Sequence, residues 1–159
     1  MNDISSSDQL AGLPVDQRNQ LESLLMTFDQ SWSPTAIGDF ARRAEAECSL
    51  ECLRLAVQEM VKIDLQRGWS SGHGKRLEEY IEQLPALGSA EDIGTDLVHV
   101  EYTARAAADP TVELNSYAER FPRQFARLVE VANRPGGGHA TVPPKVAPDQ
   151  ASIETSRIE

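Results

Sequence analysis

The chain has 159 residues, enough for one domain with a substantial core. Its 25 acidic and 15 basic side chains give a formal charge of −10, which repels phosphate backbones and argues against nucleic-acid binding; the basic pairs Arg42-Arg43 and Lys75-Arg76 are too small to line a groove. Residues 1–30 lack the basic start and apolar run of a signal peptide, and no stretch reaches the roughly 20 apolar residues of a membrane span, so a cytoplasmic location with no membrane partner is expected.

Composition divides the chain in three. Residues 1–12 read as a short flexible tail and 13–133 as a folded domain. Residues 134–159, with Gly136-Gly137-Gly138 and four prolines, read as a disordered linker, because they hold too little apolar surface to offset the entropy of ordering. Within the domain, Leu21, Leu24, Leu25 and Phe28 recur at helical spacing and predict a first helix over 15–28. Ser33 and Pro34 are suited to start a second, marked by Ile37, Phe40, Ala41 and Ala44. Ser49 can cap a third, running through Leu53, Val57, Met60, Val61 and Leu65 to about residue 67. Gly68, Gly72 and Gly74 mark a loop, and Leu77, Tyr80, Ile81 and Leu84 a short helix that stops at Pro85. Ser89 to Asp92 offer a cap and first-turn acids for a helix carrying Ile93, Leu97, Val100 and Ala104. Asp109-Pro110 is a turn, Leu114, Tyr117 and Phe121 a second short helix before Pro122, and Phe125, Leu128 and Val129 a last one. No alternating strand pattern occurs, so the expected class is all-α.

Two of these stretches are copies. Asp64, Tyr80 and Pro85 return as Glu101, Tyr117 and Pro122 at a constant offset of 37 residues, with apolar neighbours matching. A partial copy precedes them, since Ile37 and Phe40 have the spacing of Leu77 and Tyr80, displaced by 40. The expectation is a small helical array of two full helix–loop–short-helix units plus a partial one, and repeated units build scaffolds more often than active sites. The tyrosines should pack against the long-helix stripe with their hydroxyls on polar partners at the edge of the layer. Asp64 and Glu101 are acids among apolar neighbours. They are expected to accept backbone N–H groups at the start of the following short helix or to pair with an arginine, in preference to acting as an acid/base couple.

Candidate chemistry elsewhere is sparse. Cys48 and Cys52 share a helix face but only His73 is near in sequence, so they read as small buried hydrophobes rather than metal ligands. His99 and His139 are scattered, no Gly-x-Ser-x-Gly or His-Glu-x-x-His occurs, and the triple glycine follows no strand. No catalytic, cofactor-binding or metal-binding residue is assigned. Thr27, Ser31, Thr141, Ser152, Thr155 and Ser156 could accept phosphate, as any exposed Ser or Thr could.

The passages Glu59 to Arg67 and Leu77 to Leu87, then Asp96 to Tyr102 and Tyr117 to Pro122, with the lead-in around Trp32 and Ile37 to Phe40, resemble the helical region preceding the catalytic domain of planctomycete-type bacterial serine/threonine protein kinases. The resemblance covers roughly Phe28 to Phe125. The family pattern usually has an Arg after the second acid and a Gly-x-x-Pro turn; here Arg105 and Asp109-Pro110 stand there, and Gly72-His73-Gly74 lacks the proline. None of a kinase's own motifs is present, so ATP and Mg are implied only if a kinase domain follows residue 159. The resemblance implies a non-catalytic regulatory or docking module whose partner is a protein or an attached kinase lobe, reached by a linker spanning on the order of 25–30 Å. A free-standing helical adaptor is the alternative. The oligomeric state is not legible.

Overall fold

A computed structural model of the chain describes residues 6–134, and every regular element among them is helical. The helices are α1 (Ser6–Ala11), α2 (Val15–Gln30), α3 (Ala36–Glu47), α4 (Leu50–Ser71), α5 (Leu77–Gln83), α6 (Thr95–Ala108), α7 (Tyr117–Arg120) and α8 (Pro122–Ala132). Short 3-10 turns, Pro85–Leu87 and Leu114–Ser116, follow α5 and precede α7. The linker expected at 134–159 lies, apart from Arg134, outside the described residues, as do His139 and the tail phosphate acceptors.

Helix α4 is the hub. It packs against α1, α2, α3, α6 and the Pro85–Leu87 turn, and it is buried on nearly every face. Leu53, Leu55, Ala56, Val57, Met60, Val61 and Leu65 account for this, an apolar distribution too wide for a surface helix. Ser49 caps it as expected, its hydroxyl accepting from the Cys52 N–H at 3.3 Å. The helix runs past residue 67 to Ser71, so Gly68 lies inside it, and Gly72 ends it in the left-handed region at φ 85°. Gly74 is required for a different reason. A Cβ there would fall 2.1 Å from the Trp69 ring, which lies flat on the loop and donates its N–H to the Lys75 carbonyl.

Three helix starts differ from the expectation. Helix α1 occupies half of the segment 1–12 read as a tail; Leu10 packs on the core, and Arg18 ties the α1 end down through the carbonyls of Ala11 and Leu13. Helix α3 begins at Ala36 rather than Pro34, because Ser33 accepts the Ala36 N–H through its backbone in a turn and its side chain does not cap. Helix α6 begins at Thr95, because the Asp92 carboxylate folds back onto the Ser89 N–H and hydroxyl, closing residues 89–92 into a turn of their own. The buried stripe of α6 is accordingly Leu97, Val98 and Glu101, with Val100 half-buried.

The two units share their element order and their buried tyrosine. Helix α5 and the α7 turn-and-helix each follow a long helix and a loop, and Tyr80 and Tyr117 are among the largest fully buried side chains. The prolines do two jobs. Each ends a short helix and stands first in the next helical piece, Pro85 in its 3-10 turn and Pro122 in α8, where a missing N–H leaves no hydrogen bond unmade. In the partial copy, Ile37 is buried and Phe40 packs edge-on against Phe28, with centroids 5.2 Å apart.

Candidate functional site

The polar heart of each unit is a buried carboxylate bonded to the tyrosine sixteen residues on. The Tyr80 hydroxyl donates to Asp64 Oδ2 at 2.5 Å, and the Tyr117 hydroxyl donates to Glu101 Oε1 at 2.6 Å. Both lengths belong to charge-assisted O–H···O⁻ bonds. Asp64 is 2% exposed and Glu101 0%. Burial, reinforced by the neighbouring carboxylate, pushes both phenols well above their ordinary range. A cation lies over each ring: Lys75 Nζ 5.5 Å from the Tyr80 centroid, the Arg120 guanidinium 4.8 Å from that of Tyr117. The partial copy is the dry version of this arrangement. Phe40 has no hydroxyl, and the position sixteen before it is Leu24, buried in the core.

Second donors differ between the copies. Asp64 Oδ1 accepts the Trp32 indole N–H at 2.7 Å, and Lys75 stands 3.9 Å away. Glu101 Oε2 accepts the Leu77 backbone N–H at 2.6 Å, which caps α5. The capping expectation for these acids thus holds for Glu101 with the helix changed: it serves the start of the preceding short helix, not the following one. For Asp64 it fails, since an indole and a phenol take the place of backbone donors. Arginine pairing holds for Glu101 alone. Trp32 was not expected in this role, although Trp69 stands 37 residues on, at the same interval of 32 before Glu101; its indole N–H goes instead to the Lys75 carbonyl at 3.0 Å.

Beyond these pairs, the array has two seams where a short helix meets its predecessor across a long one. The second seam, α5 against α7 over α6, is locked by Arg120. Its Nη1 and Nη2 donate to Glu101 at 2.8 and 3.0 Å, and its Nε and Nη2 donate to Glu78 at 2.7 and 2.5 Å. Burial alone would lower the Arg120 guanidinium, but these carboxylates outweigh it and hold it above its usual value; the Arg120 hydrogen bonds hold Glu78 below its own.

The first seam, α3 against α5 over α4, has no such lock. The residue 37 before Arg120 is Gln83, and the residue 40 before Glu78 is Gly38, so a short amide faces a bare backbone. They are opposed as the clamp residues are: a Cβ on Gly38 would sit 3.3 Å from Gln83 Nε2. A groove of about 210 Å³ opens there, walled by Gly38, Ala41, Arg42 and Glu45 of α3 and by Gln83 to Ala86, with Leu53 and Val57 as floor. At equivalent positions of the second seam stand larger residues, Ile81 for Ala41 and Phe121 for Leu84.

A second recess of about 630 Å³, shallow and open, lies between the C-terminal halves of α4 and α6, lined by Gln66, Trp69, Ser70, Thr103 and the alanines 104, 107 and 108. It contains no charged side chain. Cys52 is buried and Cys48 half-buried; both thiols are free, and burial with the Cys52 sulfur beside it pushes Cys48 up to about 11. No group of three or more His, Cys, Asp or Glu side chains able to hold a metal occurs among the described residues, and no described helix is long and apolar enough to cross a membrane. No protein-family model, no curated protein and no solved structure matches the chain.

Proposed function

We propose that the chain is a non-catalytic regulatory or docking module of a bacterial serine/threonine protein kinase, working in the cytoplasm. One observation carries the non-catalytic half: the repeated ionisable groups, Asp64 and Glu101, are buried and bonded to Tyr80, Trp32, Tyr117, Leu77 and Arg120. Carboxylates held this way fix helices; they do not meet a substrate. The recesses between helices suit side chains of a polypeptide partner. The kinase half is supported by the sequence resemblance over Phe28 to Phe125. ATP and Mg would belong to the kinase lobe and not to this domain.

The test is binding between the 159-residue chain and the catalytic domain encoded with it. Association in a calorimetric titration, together with a glycine-rich strand motif in the frame after residue 159, supports the module. A stop codon there and no association with a kinase domain overturn it in favour of a free-standing helical adaptor.

A further inference from the structure

We infer that the open first seam is a docking groove for a basic, apolar polypeptide segment that sets an apolar side chain on Leu53 and Val57 and an arginine or lysine against Glu45. The inference rests on the docking reading and adds to it the place and the partner's chemistry.

Three independent features point there. First, the seam is unfilled for a stated reason. At the sequence positions where the second unit has Glu78, Arg120, Ile81 and Phe121, the first has Gly38, Gln83, Ala41 and Leu84, each smaller. The missing volume is the groove, and at about 210 Å³ it lies below the roughly 300–1,000 Å³ of small-molecule sites but admits an anchoring side chain. Second, its apolar floor continues outward. Leu50 precedes Leu53 by one helical turn on the same stripe of α4, and it is 83% exposed, the largest exposure among the bulky apolar side chains of the described residues. An uncovered leucine leading into an apolar slot is the form of a partner surface.

Third, the rim is charge-selective. Glu45 lines the groove and makes no ion pair among the described residues, whereas the neighbouring cation, Arg42, is already paired with Asp39. The Gln83 amide, in the place of Arg120, adds a neutral donor and acceptor. The uncompensated charge at the mouth is therefore negative, on a chain of net charge −10, which steers and orients a basic segment and repels an acidic one. A second copy of this acidic chain is a poor occupant on the same ground.

The probes are two fluorescent synthetic peptides, an amphipathic helix with leucine and arginine on one face and the same helix with glutamate for arginine. They are titrated into the full chain by anisotropy and mapped by heteronuclear NMR. Expected are selective binding of the arginine peptide and shift changes at Gly38, Ala41, Leu53, Val57 and Ala86. The double variant Gly38→Glu/Gln83→Arg, which places the second seam's clamp in the first, should weaken binding by about tenfold or more while melting no lower than the parent. Glu45→Lys should invert the preference between the peptides.

Equal binding of both peptides, shifts confined to the recess between α4 and α6, or undiminished binding by the clamped variant would overturn the inference. So would peptide binding that appears only after deletion of 135–159, which assigns the groove to the chain's own tail, or concentration-dependent self-association through Leu50. The two proposals fail separately. A clamped variant that still binds the kinase catalytic domain sinks the groove and leaves the module; a parent that binds the arginine peptide here but no kinase domain does the reverse.

Discussion

The two seams of this array come from one sequence unit, and they end differently. Between α5 and α7, one guanidinium holds two carboxylates in four hydrogen bonds, and a phenylalanine fills what remains. Between α3 and α5, a glycine faces a glutamine and a groove is left. The acid–tyrosine bond recurs in both full units with nearly the same length, so it sets the unit's geometry. Residues outside that bond decide whether a seam is closed or open. The lesson is that the repeat specifies how helices stand, while side-chain size at four positions specifies what surface they leave.

Breaking the closed seam should do the most damage. Glu101→Ala removes the acceptor shared by Arg120, Tyr117 and the Leu77 N–H, and a loss of about 3–5 kcal/mol is expected in urea unfolding. Asp64→Asn should lose less, since its donors, Trp32 and Tyr80, are neutral. If both substitutions leave stability unchanged, the structural role of these acids is wrong. Arg120→Gln, which copies the first seam's residue into the second, is expected to lose about 1.5–3 kcal/mol and to loosen α7 in hydrogen exchange. Tyr117→Phe should exceed Tyr80→Phe within about 1–3 kcal/mol, because only the Tyr117 hydroxyl also accepts from Arg105, at 3.1 Å.

The same phenols predict an alkaline effect. Their folded-state pKa lies above the ordinary 10.0, so the unfolded chain gives up these protons first. Their stabilisation is complete below that pH and declines as pH rises through and beyond it toward the folded values. Stability measured against pH should therefore fall above 10, and less steeply in a Tyr80→Phe/Tyr117→Phe variant; equal slopes would contradict the buried pairs. The smallest effect sharpens the open seam. Gly38→Ala should gain about 0.5–1 kcal/mol from helix propensity, because the new methyl meets only the flexible ends of Gln83 and Arg42, and Tm should rise accordingly.

Much of the architecture was legible because it rests on spacing. The apolar stripes of α2, α4 and α8, the Ser49 cap and the 37-residue repeat follow from periodicity and local hydrogen bonding, and the structure has them. Helix starts were missed where a side chain bonded locally instead of capping, as Asp92 does with Ser89. The tyrosines' polar partners were expected at the layer's edge, yet they are the repeat's own acids. The common interval of sixteen from Asp64 to Tyr80 and from Glu101 to Tyr117 was a signal for this, since two coupled residues must repeat together. Trp32 carried a similar signal, since Trp69 keeps the same interval of 32 to Glu101, but only half of it is realised: Trp32 bonds to its acid, while Trp69 donates to the Lys75 carbonyl. The groove was hidden for a further reason. It is a difference between copies, visible only when Gly38 and Gln83 are set beside Glu78 and Arg120.

That difference can be measured directly by a double-mutant cycle at Gly38 and Gln83, following unfolding of the parent, Gly38→Glu, Gln83→Arg and the double variant. If the seams share one geometry, the two new side chains reach each other as Glu78 and Arg120 do, and the double variant is more stable than the single changes sum to, by about 0.5 kcal/mol or more. Strict additivity, or a double variant less stable than the sum, would show that the first seam is not an unclamped copy of the second.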